Sequence, residues 1–502
     1  MPEPSGRSAG VLWLVILRFI IIFLQIVSLP ISIHILGENL YGIAVYVGVI
    51  RLLWQFVDFD IPQGLIQVLS RTFRVDEEKA WRYFRAGLFL QFLVGVVGAV
   101  GLFLAPVYLA GDKQLAETPG VSLLFTLAGL QFFFDSYGST YNAPFNAREQ
   151  FAKVAALTSI IPAITILLTI VLVLVWKSPA AILLGTLIDS SLQTLVKVLY
   201  IVKKEKNFPI LPKFDKESCQ EILRISLKSY IAGLSSRIAG TADKAIVGTV
   251  LGKEMLAIYN VACRIPQILL EAFGKIAESI TPEMTHISAN EPHRLAVIFK
   301  RNFRFMGFIA AVGIIFISGF GNIIQQAWLS KHYDNFGILV FLMGIYYGLE
   351  LHHSTITRVF FAQGKPHLML PFTLWNSLIT LLCTKYLALQ YGLIGVASMN
   401  CFIDVAQIIP IHYYCSRFGV KEIPLREMLK MTGVIIGLGA ILSFSAMLLT
   451  GQFMPGRWVA FGVVASIPFQ CVVLAFVFKK LGIIEFPEGL QRIIRRFTKR
   501  SA

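Results

Sequence analysis

Residues 229–252, SYIAGLSSRIAGTADKAIVGTVLG, are apolar enough to cross a membrane, yet they carry Arg237, Asp243 and Lys244. A charge at that depth is costly unless it meets protein or water. Similar side chains recur at three- and four-residue steps in other apolar stretches. Arg51, Gln55, Asp58 and Pro62 form one such set, and Gln131, Asp135, Ser139, Asn142 and Asn146 another. Asp189, Gln193 and Lys197 follow, then Arg264, Glu271, Lys275 and Glu278. Glu350, Ser354, Thr357 and Arg358, and Asn400, Asp404 and Gln407, complete the series. Such spacing puts each set on one face of a helix. For any one acid the plain reading is a clasp or salt bridge between helices. Six polar faces together predict two bundles around a hydrated cavity.

Depth sorts the candidates, at about 1.5 Å of rise per residue. Arg18, Arg51, Arg237 and Glu271 fall near the middle of their spans, with Asp135, Glu350 and Asp404. Arg18, Arg51 and Arg237 are therefore candidates to hold an anionic group, because the planar guanidinium fork donates two hydrogen bonds at once. Asp58, Glu271 and Glu350 are candidates for ion coupling, as acids that could gain a proton on one side of the membrane. Asp243 and Lys244 fall near an outer end, where a lysine can snorkel, and read as interfacial anchors. His352 and His353 follow Glu350 and have the chemistry of a proton relay, although a hydrogen-bonded pair is the plainer reading.

The elements that position these residues follow from composition. The chain has 502 residues, 56% of them hydrophobic and 15% charged, with mean hydropathy +0.70. A soluble domain carries about 25% charged residues, so an all-α polytopic membrane protein is expected. At roughly 20 apolar residues per span, about fourteen spans are placed, near 11–33, 40–69, 84–106, 121–146, 154–175, 181–202, 222–249, 256–284, 304–322, 336–361, 368–388, 393–413, 428–449 and 457–478. The first is read as an uncleaved span rather than a signal peptide, since no A-x-A site follows it. The net charge of +16 does not point to nucleic acid, because Lys and Arg lie mostly between the spans. The odd-to-even connections hold only Lys113, Lys177, Lys253, Lys331 and Arg457, while the even-to-odd connections and the two ends hold most of the other Lys and Arg, so both termini are expected in the cytoplasm. The basic run QRIIRRFTKR, 491–500, suits the anionic inner leaflet. The six cysteines show no CxxC and no paired His/Cys spacing, so free thiols are expected, with no metal site and no cofactor.

An internal echo divides the chain. LGENLYGIA, 36–44, returns as LGKEMLAIY, 251–259, and PFNAREQ, 144–150, as FFAQGKP, 360–366. Two matches at nearly one offset point to parallel six-helix repeats. Helices 1–6 would occupy 1–215, helices 7–12 216–427, and helices 13 and 14 with the basic tail 428–502.

The run ILGENLYGIAVYVGVIRLLWQFVDFDIPQGLIQVLSR resembles the polysaccharide transporter family, the O-antigen and repeat-unit flippases of the MOP superfamily. Leu36, Gly37, Tyr41, Gly42, Asp58, Phe59 and Arg71 match its pattern, and Asp60 stands where that pattern has glycine. In the second half Asp243, Gly252, Tyr259, Arg264 and Pro282 fit. The resemblance implies two six-helix lobes that open alternately. It also implies a basic cavity for the head group of a lipid-linked oligosaccharide, and a role in lipopolysaccharide assembly in the bacterial cell (inner) membrane. Membrane lipids would surround the protein, and polysaccharide-assembly enzymes are candidate partners. Arg264 is carried over by motif position. A rival stays open: Asp58, Asp135, Asp189, Glu271, Glu278, Glu350 and Asp404 offset the arginines, which would suit an organic cation exporter of the multidrug and toxin extrusion type. An enzyme is disfavoured, because the longest inner segments, 203–221 and 285–303, lack clustered acids.

Overall fold

The computed structural model describes residues 5–433, apart from 74, 149–156, 205–210, 291, 330, 421–422 and 431, together with 437 and 441. Most of the expected span at 428–449, all of that at 457–478 and the basic tail lie outside the described residues. Every regular element among the described residues is helical, so the all-α class is borne out. The long helices are α1 (Ser5–Leu53), α2 (Ile61–Thr72), α3 (Glu77–Phe103), α4 (Val121–Thr140), α5 (Ile161–Trp176) and α6 (Pro179–Lys204). They continue as α7 (Lys216–Ile246), α8 (Lys253–Asn290), α9 (Pro292–Trp328), α10 (Phe336–Ala362) and α11 (Leu370–Tyr414).

Among the described residues, five stretches are long and apolar enough to cross a membrane: Ile20–Asp58, Glu77–Phe103, Pro179–Lys203, Phe336–Ala362 and His367–Gly419. The first and last run to 39 and 53 residues, and each contains one break. Local chemistry sets several ends. Asp76 caps α3 by accepting from Lys79 N at 2.9 Å, and Asp215 caps α7 by accepting from Ser218 N at 3.3 Å. The α3–α4 contact is close because α4 presents Gly129, whose Cβ would lie 2.8 Å from the Ala99 carbonyl oxygen. Large apolar side chains such as Val97, Val100, Leu174, Leu382 and Leu389 remain exposed, as a lipid-facing surface requires.

The breaks repeat. Gly37 (φ 75, ψ 162) interrupts α1, and Gly252 (φ 96, ψ 170), 215 residues later, separates α7 from α8. Gly120 (φ 74, ψ 21) precedes α4, and Asn335 (φ 63, ψ 13), again 215 residues later, precedes α10. Lys177 (φ 48) ends α5, and Gly392 (φ 59) breaks α11 at that same separation. Six of the nine positive-φ residues among those described thus form three pairs, so the echo heard in two short motifs extends to the backbone of both halves.

One expected span differs. The set Arg51, Gln55, Asp58 and Pro62 does not share a helical face, because α1 ends at Leu53. A 3-10 turn, Trp54–Asp58, follows, and Phe59 and Asp60 are both left-handed (φ 49 and 55) before α2 starts. A left-handed residue is where glycine is cheapest and aspartate tolerable, which accounts for the Asp60 departure from the family pattern.

By packing, the chain falls into two compact units. Unit 1 comprises Met1–Val261, Ala327–Lys331 and Asn376–Gly392; unit 2 comprises Ala262–Gln326, His332–Trp375 and Leu393–Ala502.

Candidate functional site

In unit 1 the polar faces zip helices together. Arg51, in the last turn of α1, donates from Nη1 to Asp135 Oδ2 on α4 at 2.5 Å. The other oxygen of Asp135 accepts from Ser190 Oγ on α6 at 2.5 Å. One turn along, Thr186 Oγ1 donates to Gln131 Oε1 at 3.0 Å. On the adjoining side Asp189 accepts from Thr165 Oγ1 of α5 at 2.8 Å and from Gln193 Nε2 at 2.6 Å. Lys197 is buried next along that face. Two carboxylates, Asp135 and Asp189, are matched by two cations, Arg51 and Lys197. The expected stripes on α4 and α6 exist, and they act as clasps between helices.

The motif residues of unit 1 hold joints. Tyr259 donates from its hydroxyl to Asp243 Oδ2 at 2.7 Å, so Asp243 is bound inside the unit and is no interfacial anchor. Asn260 Nδ2 donates to the Tyr41 hydroxyl at 3.0 Å. Lys253, only 1% exposed, places Nζ on Asp112 Oδ2, on the Gly248 carbonyl at 3.0 Å and 4.0 Å over the Tyr46 ring. Its spacing gave no hint of this, because it follows a glycine in what reads as an outer loop.

Unit 2 differs. Glu271 and Arg264 lie two turns apart on α8 with Oε1 and Nη1 3.8 Å apart. That contact is long, and the Arg264 side chain stays 24% exposed. Glu350 is exposed between the buried Leu349 and Leu351, and makes no hydrogen bond or ion pair among the described residues. Asp404 on α11 is buried, and its Oδ2 has no partner there. Gln407 Nε2, one turn on, donates to the Phe372 carbonyl at 3.3 Å.

The sequence candidates therefore separate. Arg51 is committed to Asp135, Arg264 and Glu271 lie together, and Asp58 sits in unit 1 accepting from Gln91 Nε2 at 2.5 Å. The side chains of Arg18, Arg237, Lys275 and Glu278 lie outside the described residues. Among those described, no group of three or more His, Cys, Asp or Glu has metal-binding geometry.

A family model described as "Polysaccharide biosynthesis protein" matches residues 35–336, which include both motif regions. The chain belongs to this family. No curated protein matches it. Among solved structures, a lipid II flippase MurJ in an inward closed conformation is similar at TM-score 0.69 and 15% identity, over 95% of this chain and 99% of that one. An outward-facing MATE family multidrug resistance transporter of the MOP superfamily is similar at TM-score 0.56 and 15% identity, over 91% and 96%. A MOP superfamily transporter from Pyrococcus furiosus gives TM-score 0.54 and 14% identity, over 91% and 96%. At these identities the likeness shows the fold alone. The family resemblance drawn from the motifs is borne out. This polysaccharide biosynthesis protein is a multi-pass membrane protein.

Proposed function

We propose that the protein is a flippase that moves a polyprenyl-diphosphate-linked oligosaccharide from the inner to the outer leaflet by alternating access. The observation that carries this reading is the family match across residues 35–336. Such a substrate has an anionic head that cannot cross hydrocarbon and a tail that can stay in it. The lobes expected at 1–215 and 216–427 would expose the head to each side in turn, with 428–502 adding two helices. Arg264 is the strongest described candidate for the diphosphate, since its contact with Glu271 leaves guanidinium donors to spare. Arg18 and Arg237 remain candidates by depth, and Arg51 would act through its pair with Asp135. Glu350 would couple transport to an ion, with Asp404 beside it in unit 2; Glu271 and Asp58 already hold partners. The setting is a bacterial inner membrane with both termini cytoplasmic, and the cargo an O-antigen or similar repeat unit. Assembly enzymes would supply and consume the lipid-linked chain.

One observation favours the rival reading, a cation/ion antiporter of the multidrug and toxin extrusion type: the acids Glu350 and Asp404 have no cation bonded to them among the described residues. Proteoliposomes holding a fluorescent lipid-linked oligosaccharide separate the two. The flippase reading expects the wild type to flip it and Arg264→Ala to slow flipping about tenfold or more, the loss of one charge-assisted contact. Efflux of an organic cation with no glycolipid movement would replace it with the rival.

A further inference from the structure

One buried cluster of unit 2 takes no part in that scheme. His352 and His353 lie on α10, His412 on α11 and Thr432 on the helical segment after it; their exposures are 1%, 7%, 0% and 0%. The ring centroids of His352 and His353 lie 6.0 Å apart, and those of His353 and His412 5.5 Å.

The hydrogen bonds fix which nitrogen carries hydrogen. The Ile408 carbonyl can only accept, so His412 Nδ1 donates the 2.6 Å bond to it. A neutral His412 then has a bare Nε2, which accepts from Thr432 Oγ1 at 2.8 Å. A hydroxyl has a single hydrogen to give. Thr432 Oγ1 therefore accepts its other bond, at 2.9 Å, from His352 Nε2. That leaves His352 Nδ1 as a bare lone pair, buried and without a partner among the described residues. His353 Nε2 is likewise buried and unpartnered there.

We propose that His352, Thr432 and His412 form a proton relay that takes up and carries one proton through unit 2. An incoming proton bonds to His352 Nδ1. The Nε2–H bond of His352 breaks as that proton moves to Thr432 Oγ1, and the hydroxyl's own proton moves to His412 Nε2. The relay ends with His352 and Thr432 neutral and His412 an imidazolium, having gained one proton and no electron. From His352 Nε2 through Thr432 Oγ1 to His412 Nε2 every atom is already within hydrogen-bond distance, so that stretch needs only hydrogens to move.

The surroundings suit a transient cation. The Phe303 ring lies 4.0 Å from His352, centroid to centroid, and Phe299 stacks behind it at 5.2 Å. On α9, Lys300 and Arg304 are both engaged by Glu427, Arg304 at 3.7 Å, which offsets part of their repulsion. Arg358 on α10, and Lys430 near Thr432, are the other nearby cations in sequence; Cys415, directly after α11, is a free cysteine. Glu350 precedes His352 by two residues and Asp404 precedes His412 by eight, so each histidine-bearing helix also carries an acid, though neither acid is bonded to a ring among the described residues. Using that proton to drive flipping rests on the flippase reading. The relay itself rests on the rings.

The test uses the full-length protein in lipid nanodiscs with 15N-labelled histidine, its ring signals assigned through His352→Gln and His412→Gln. The neutral protein should show hydrogen on His412 Nδ1 and on His352 Nε2, and both rings should titrate at one shared midpoint. Thr432→Val should abolish the shared midpoint, and Thr432→Ser should keep it. A hydrogen on His412 Nε2 in the neutral wild type, or an unaltered titration in Thr432→Val, overturns the relay, and the wild-type tautomers decide even if the valine variant misfolds. A shared titration in a protein that flips no glycolipid would sink the flippase reading alone.

Discussion

The two units handle polar groups inside a membrane in different ways. In unit 1 three half-buried acids have bonded partners: Asp135 holds Arg51 and Ser190, Asp189 holds Thr165 and Gln193, and Asp112 holds Lys253. In unit 2 the acids Glu350 and Asp404 lack a bonded cation among the described residues, and on the same helices lie three imidazoles, two of them bridged by one hydroxyl. Matched charges lock helices to one another. Unmatched acids and neutral imidazoles can change protonation without tearing a clasp apart. The contrast assigns rigidity to unit 1 and proton chemistry to unit 2.

The sharpest way to break that contrast is to remove one charge from each unit. Arg51→Met would strand the Asp135 carboxylate. Breaking a fully buried pair costs about 3–5 kcal/mol. The Arg51 and Asp135 side chains are 15% and 36% exposed, so a loss of about 2–3 kcal/mol is expected here. The double variant Arg51→Met/Asp135→Leu should recover most of it. Asp404→Asn, by contrast, removes an acid whose Oδ2 has no partner, and thermal unfolding in detergent should show no loss. Equal destabilisation by Arg51→Met and Asp404→Asn would erase the distinction.

Much of this arrangement was legible in the sequence, for physical reasons that differ by residue. Long apolar runs dictate helices, because lipid offers no partner to an open backbone. The LG motifs marked Gly37 and Gly252, since a backbone with φ near 75–96° and ψ near 162–170° accepts only glycine readily. Helical spacing identified Gln131, Asp135, Asp189 and Gln193 as sharing faces. Spacing says nothing about which helix a face meets, and so the Arg51–Asp135 pair was out of reach. The break at Trp54–Asp60 was hidden because its apolar residues look like a continuing helix. Lys253 was misjudged as a loop lysine; its burial comes from the nearby Gly248 carbonyl together with Tyr46 and Asp112, brought in from distant parts of the chain. Thr432 and His412 were missed because a hydroxyl and a lone histidine carry no pattern of their own.

The backbone pairs offer a milder comparison between the halves. Lys177 and Gly392 occupy corresponding positions, yet one is a lysine at φ 48, ψ 38 and the other a glycine at φ 59, ψ −142. Gly392→Ala meets no atom within 4 Å of the added Cβ, so any cost is backbone strain, about 1–3 kcal/mol. Lys177→Gly should relieve strain and gain up to roughly 1 kcal/mol. Thermal unfolding of the two variants in the same detergent should move in opposite directions. Shifts of the same sign would mean that the paired breaks are not governed by their backbone angles.

The smallest effect is expected at an exposed lysine of unit 1. Lys331 Nζ lies 3.0 Å from Glu254 Oε1, but the two side chains are 64% and 37% exposed. The hydrogen bond to Glu254, helped by its charge, raises the Lys331 pKa above the ordinary lysine value. A raised lysine pKa favours the folded state at neutral pH, and that preference fades as pH climbs past the raised value. Solvent screens such a pair and salt weakens it further. Lys331→Ala should therefore leave the unfolding temperature and the flipping rate at wild-type levels, at low and high salt alike. A clear loss at Lys331 would mean that unit 1 is clasped by its surface charges as well as its buried ones, and the rigidity assigned to the Asp135, Asp189 and Asp112 contacts would have to be shared with the outer loops.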